Sequence, residues 1–169
     1  LSGDFYDYIK FRDGRFLSCV ADISGHSISA AMYIAMLKMM FRKAITEMDN
    51  PGDILTRLNR EIGENLPVET FVTMFCGLID PSCSSLLYAN AGHPFPFIIK
   101  NGQSSPLEGH DQFLGPMKNA RFATFDASIA DWEGMIIFTD GLLDIGPQNN
   151  GNYGAMMLKN AFEEQGKTI

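Results

Sequence analysis

From Phe71 to Ile79 the chain is apolar at almost every position (FVTMFCGLI). A strand of that kind must be covered on both faces, so the fold needs a layer on each side of it. The flanking segments supply candidates. Upstream, Arg15 to Ile23 (RFLSCVADI) reads as a strand paired with Tyr6 to Phe11 through Arg12-Asp13-Gly14, whose Asp-Gly step is a hairpin signal. After Gly25 the period changes. Ile28, Ala31, Met32, Ala35, Met36, Met39 and Met40 recur at three- and four-residue spacing, which predicts a helix with that face buried. Ser27 or Ser29 is placed to cap it. Its methionines read as core filling; the alternative is a homodimer seam along Met32, Met36 and Met40.

A second helix is predicted from Asn50. Asn50 suits the cap, Pro51 the first helical position, and Asp53 the positive end of the dipole. Ile54, Leu55, Leu58 and Ile62 form its buried stripe, and it ends near Asn65 to Pro67. Past the doubly apolar strand, Asp80-Pro81-Ser82 turns into a strand at Ser85 to Ala91. Phe95 to Lys100 and Gln103 to Leu107 flank Asn101-Gly102, another hairpin signal. Arg121 to Asp126 and Gly134 to Thr139 are further strands, and Gly154 to Glu164 a last helix. Strands, two successive helices, then closely spaced strands define an α+β fold: two largely antiparallel β-sheets packed as a sandwich flanked by helices.

Composition enters where it excludes functions. At 169 residues the chain suits one domain with a substantial core. No apolar run approaches the roughly 18 residues of a membrane span, and Leu1-Ser2-Gly3-Asp4 has neither the basic nor the apolar region of a leader. The formal charge of −7, from 20 acidic and 13 basic residues, argues against nonspecific nucleic-acid binding. It leaves a phosphate substrate open, because bound divalent ions reverse the local field. Cys19, Cys76 and Cys83 show no Cys-x-x-Cys spacing, so buried thiols in a reducing, cytoplasmic setting are expected.

Chemistry concentrates at four aspartates in three Gly-containing segments: Gly3-Asp4-Phe5-Tyr6-Asp7, Ala21-Asp22-Ile23-Ser24-Gly25-His26 and Thr139-Asp140-Gly141-Leu142. In each, a carboxylate sits where a strand-like run breaks into a turn. A lone aspartate beside glycine commonly satisfies turn donors. Carboxylates at several strand ends can instead converge. Two of them about 4 Å apart repel by roughly 4 kcal/mol at an effective dielectric near 20, which hard cations such as Mg²⁺ or Mn²⁺ relieve with all-oxygen shells. Asp22 also precedes a Ser-Gly-His turn and a helix start, where anions are favoured. These features point to a metal-dependent hydrolase of phosphate esters.

Five segments in order, SGDFYD, ADISGH with its following SAA, FVTMFCGLID, YANAGHPFPFII and IIFTDGLLD, resemble the motifs of the PPM superfamily of metal-dependent Ser/Thr protein phosphatases. The resemblance covers nearly the whole chain, and its nearest branch is that of the bacterial sporulation stage II and stress-response regulator phosphatases. It implies a phosphatase-like catalytic domain over residues 1–169 and a centre of two Mn²⁺ or Mg²⁺ ions. It further implies hydrolysis of phosphoserine or phosphothreonine, by a metal-activated water, on a bacterial regulatory protein such as an anti-sigma-factor antagonist. By position, Asp4 and Asp22 match metal ligands, with Asp22 as the bridge. The carbonyl of Ile23 matches a backbone ligand, and Asp140 a ligand from the later strand. An upstream sensor domain in the parent chain is also implied.

Remaining residues read more plainly. His26 either donates a proton to the leaving group or braces its loop. His93, in Asn90-Ala91-Gly92-His93-Pro94, fixes a turn by hydrogen bonding in preference to catalysis. Asp7 falls in the first motif and is placed behind the metal ligands, to orient a water or a strand end; Asp144 is a solvated turn residue and His110 a surface side chain. Ser27 stands where the family usually has glycine, and Ser2 replaces a common glycine beside Asp4's motif. The first strand and the C-terminal strands usual in the family, with one further metal ligand, are expected to be missing. The competing function is a degenerate phosphatase-fold module that binds a regulatory partner without catalysis. A metal-dependent esterase or nuclease is a third reading, and for nuclease action the acidic balance leaves no basic groove.

Overall fold

The computed structural model describes residues 3–24 and 28–142. Its elements, in chain order, are β1 (Asp4–Lys10), β2 (Phe16–Ile23), α1 (Ile28–Glu47), α2 (Pro51–Asn65), β3 (Val72–Asp80), β4 (Ser85–Ala91), β5 (Phe97–Lys100), β6 (Gln103–Pro106), β7 (Phe125–Ser128) and β8 (Gly134–Ile136), followed by a 3-10 turn at Asp140–Leu142. All strand pairs are antiparallel, in two sheets. The α+β class with antiparallel sheets is therefore the one the element order predicts. The chain divides into two compact units: Leu1–His93 with Gly109–Ile129, and Pro94–Glu108 with Ala130–Ile169.

The first unit is built on a five-stranded sheet in the order β1-β2-β3-β4-β7. One of its faces packs on α1 and α2. Phe5, Leu17, Cys19, Ala21, Ile23, Val72, Met74, Cys76 and Ala89 meet Leu37, Phe41, Ile54, Leu55, Leu58 and Ile62 there in one core. Each Leu, Ile, Val, Phe or Met among them, fully buried, contributes about 1.5–3 kcal/mol. Its opposite face stacks Phe75 on Tyr88 and Tyr88 on Phe125, so β3 is buried on both sides, as its unbroken apolar run requires.

Helix α2 forms as expected. The Asn50 side chain accepts the N–H of Asp53 at 3.2 Å, Pro51 opens the helix, and Ile54, Leu55, Leu58 and Ile62 are buried. Helix α1 differs in phase. Its buried positions are Ala30, Leu37, Phe41, Ala44 and Ile45, with Met36 and Met40 packed at the margin, whereas Met32 and Met39 are 63% and 71% exposed. Apolar residues surround much of this helix, so spacing alone does not choose its inward face. Leu37 and Phe41, the latter edge-on to Phe5 at 6.5 Å, decide it.

Strand β7 starts later than the expected Arg121. The N–H of Phe122 donates to the Thr56 hydroxyl (3.0 Å) and that of Ala123 to the Asp111 carboxylate (2.7 Å). Side chains thus take the donors a ladder would use, and Phe122 is buried. Cys19 and Cys76 face each other across β2 and β3 as buried free thiols. Burial raises both thiol pKa values, that of Cys76 to about 12. Cys83, expected to be buried, is exposed; it lies in the turn between β3 and β4, beyond the ladder.

The second unit holds a three-stranded sheet in the order β6-β5-β8. The Asn101-Gly102 turn joins β5 to β6 in the expected register, Lys100 opposite Gln103. Phe97 stacks on Phe138 at 5.6 Å. Strand β8 pairs only over Gly134–Ile136, shorter than the expected Gly134 to Thr139. The predicted helix from Gly154 to Glu164 lies outside the described residues. No helix among the described residues is long and apolar enough to cross a membrane.

Candidate metal centre

Alternation along β1 turns Phe5 and Asp7 toward the helices and leaves Asp4, Tyr6 and Tyr8 on the other face. In the ladder Asp4 pairs directly with Asp22 of β2. The bonds at either end of this hairpin, Ile23 N–H to Gly3 O (3.2 Å) and Phe11 N–H to Arg15 O (2.8 Å), put hydrogen-bonded pairs at the odd positions of β1. Asp4 and Asp22 therefore occupy a non-hydrogen-bonded pair, where facing side chains come closest.

Gly3 completes this end of the hairpin. A Cβ built on it falls 2.4 Å from the carbonyl oxygen of Ile23 and 2.7 Å from Oδ1 of Asp22. Both oxygens thus border one small space that only glycine leaves open. The C-terminal end of β2 is held in place by Ser24. Its N–H donates to Phe71 O at 3.0 Å, and its hydroxyl accepts the Phe71 N–H at 3.0 Å. Two carboxylates and a carbonyl make an all-oxygen donor set, which suits a hard divalent cation such as Mg²⁺ or Mn²⁺.

The same edge of the sheet continues through Thr73, the partner of Asp22 on β3. The Thr73 hydroxyl lies 2.9 Å from His93 Nδ1. His93 is 3% exposed, and Asn90 grips it from both sides: Asn90 Oδ1 accepts the His93 N–H at 2.8 Å, and Asn90 Nδ2 donates to His93 O at 3.0 Å. Gly92 permits the turn with φ +63, and a Cβ there would strike the Phe113 ring at 2.3 Å. The turn-fixing reading of His93 is what this geometry shows.

Asp7 braces its strand from the helix side. It lies on the helix face, away from Asp4 and Asp22, and is 8% exposed. Arg42 of α1 binds both its oxygens, through Nε at 2.6 Å and through Nη2. The Tyr8 N–H adds a bond at 2.9 Å. Burial pushes this carboxyl's pKa up, but the Arg42 and Tyr8 hydrogen bonds and the positive charges of Arg42 and Lys38 outweigh it and hold the pKa below 3.8. An odd separation from Asp4 on a strand dictates the opposite face, so Asp7 ties α1 to β1.

Asp140 belongs to the second unit, where it opens the 3-10 turn after β8 and is exposed. His110 is exposed, as expected. His26, Ser27 and Asp144 fall outside the described residues. Among the described residues no three His, Cys, Asp or Glu side chains form a ready-made metal cage. What the first unit itself supplies is the Asp4–Asp22 pair with the Ile23 carbonyl. The roles of Gly3, Ser24, Thr73 and Asn90 had escaped the motif reading. Thr73, the one hydroxyl inside an apolar strand, and Asn90, a buried amide just before Gly92, were the available signals.

The sequence profile of the stage II sporulation protein E (SpoIIE) family matches residues 12–168. The phosphoserine phosphatase RsbU of Bacillus subtilis is 26% identical over 151 residues, covering 88% of this chain and 45% of that protein. The phosphoserine phosphatase RsbP of the same organism is 26% identical over 150 residues, covering 85% of this chain and 37% of that protein. A crystal structure of RsbU and RsbW domains from Mycobacterium tuberculosis superposes with a TM-score of 0.83 at 21% identity, over 98% of this chain and 47% of that one. The chain spans less than half the length of each of these relatives.

Proposed function

The chain belongs to the stage II sporulation protein E (SpoIIE) family, within the sporulation and stress-regulator branch of the PPM phosphatases, and we propose that it is a metal-dependent protein phosphatase acting on phosphoserine or phosphothreonine of a bacterial regulatory protein. The observation that carries the reading is the Asp4–Asp22 pair beside the Ile23 carbonyl, over a space that Gly3 leaves clear. Asp4 and Asp22 would hold the cations, and Ile23 would contribute its carbonyl. Asp140 is proposed as the fourth donor on its motif alone. Two Mn²⁺ or Mg²⁺ ions, when bound, supply positive charge that makes a water acidic enough to attack near neutral pH and that holds phosphoryl oxygens. His26 is the candidate proton donor to the leaving hydroxyl. Thr73, His93 and Asn90 keep the strand ends in register. An anti-sigma-factor antagonist is the kind of substrate proposed, a sensor domain the kind of neighbour, and a homodimer the assembly. A cytoplasmic setting is supported by two facing thiols that stay unbridged.

A second reading, a phosphatase-fold module that binds its partner without catalysis, is favoured by the lack of a ready-made three-residue cage among the described residues. Phosphate release from a phosphoserine protein separates the two. Hydrolysis stimulated by Mn²⁺, abolished by chelator and lowered about a hundredfold or more by Asp22→Asn supports the phosphatase. Equal rates with chelator, or no hydrolysis while the partner still binds, supports the alternatives.

A further inference from the structure

On the helix side of the first unit, the first turns of α2 and the loop at 117–121 border a cleft of about 550 Å³, a size typical of small-molecule sites. Met48 and Ala120 give it an apolar wall, and Arg57, Arg60, Lys118 and Arg121 line it against the single carboxylate of Asp53. This reverses the sign of a chain whose net charge is −7. Arg57 is neutralised by Glu61 at 2.5 Å and Glu47 at 3.0 Å. Arg60, Lys118 and Arg121 are exposed and make no ion pair among the described residues.

Like charges on a loose loop would spread apart, but this loop is pinned. Asn59 of α2, fully buried, donates to Met117 O (2.8 Å) and Lys118 O (3.2 Å) and accepts the Gly115 N–H (2.8 Å). At the other end the Thr56 hydroxyl accepts the Phe122 N–H. Two polar side chains of α2 thus fix the backbone that carries Lys118 and Arg121 beside Arg60. Such a site is preorganised for an anion.

We propose that this cleft binds an organic phosphate carrying at least two phosphate groups, with a nucleoside diphosphate as its simplest member. With Asp53 counted, Arg60, Lys118 and Arg121 leave the cleft a net charge of about +2, and three cationic groups carried on two separate segments offer partners to more than one phosphate, whose oxygens arginine's planar fork suits. The wall of Met48 and Ala120 takes the organic body, which an inorganic anion would leave uncovered. Asp4 and Asp22 lie on the opposite face of the sheet, so this ligand is distinct from the substrate, and the proposal stands independently of the phosphatase reading.

The test is fluorescence anisotropy of a fluorescent ADP on the chain in excess chelator, with unlabelled ADP, AMP, pyrophosphate and a poly-glutamate peptide as competitors. Saturable binding is expected, with ADP competing about tenfold better than AMP or pyrophosphate. The double variant Arg60→Glu/Arg121→Glu should bind at least about tenfold more weakly, and Lys118→Gln severalfold more weakly, so the result does not hang on the fold of the double variant. Asp22→Asn should bind like the parent chain. Binding that survives both cleft variants, vanishes in Asp22→Asn, favours poly-glutamate over ADP, or fails to saturate would overturn the proposal.

Discussion

Asp4 and Asp22 stand directly opposite each other at a non-hydrogen-bonded position of the β1–β2 ladder. Like charges so placed destabilise a hairpin by up to about 1 kcal/mol. A sheet selected for stability alone would put an opposite charge or a β-branched pair there. On the proposed reading, the pair reaches its low-energy state with a cation present.

Gly3→Ala tests how tightly that site is shaped. The new methyl would lie 2.4 Å from a backbone oxygen, so the hairpin end must shift and carry the Asp22 carboxylate with it. Disturbing the support of metal ligands typically costs about 10- to 100-fold in affinity. Calorimetric titration with Mn²⁺ should show a loss of that order, with the melting temperature in chelator falling only modestly.

Asp7 predicts a pH dependence. Its folded pKa lies below 3.8, so its ion pair with Arg42 stabilises fully above the unfolded pKa and loses its effect as pH falls through the folded one. Asp7→Asn should lower stability at pH 7 by about 2 kcal/mol, a discounted figure because Arg42 is 41% exposed. The gap between variant and parent in urea melts should narrow as pH drops below about 4. A gap independent of pH would mean that Asp7 acts through packing alone.

Thiol reactivity separates the three cysteines. Cys83 is exposed, while Cys19 and Cys76 are buried with raised pKa values, and a protonated, inaccessible thiol is a poor nucleophile. Ellman's reagent should titrate one thiol in the native chain and three after unfolding. Cys83→Ser should abolish the native reaction.

Much of the first unit was legible because its signals are local or periodic. The Asp-Gly hairpin, the Asn50-Pro51 helix start and the doubly apolar β3 each specify their own conformation. The face of α1 was not legible, because Met32 and Met39 are as apolar as Leu37 and only packing against Phe5 chooses between them. Strand β7 slipped for a related reason: Thr56 and Asp111, distant in sequence, take its first donors. At the site, the pairing of Asp4 with Asp22 follows from the hairpin register. The side of Asp7 also follows from register, once motif membership is set aside in favour of strand alternation. The basic cleft was hidden by the net charge, since Arg60, Lys118 and Arg121 come together only through the grip of Asn59.

The most direct test of the cation site compares melting of the parent chain and Asp22→Asn, in chelator and in Mn²⁺. The quantity to compare is the Mn²⁺-dependent gain of each chain over its own melt in chelator, because Asp22 also has contacts without metal. In Mn²⁺ at about 100 times its dissociation constant the parent should gain roughly 2.7 kcal/mol, and the variant almost nothing. An equal Mn²⁺-dependent rise in both would contradict a cation held between Asp4 and Asp22.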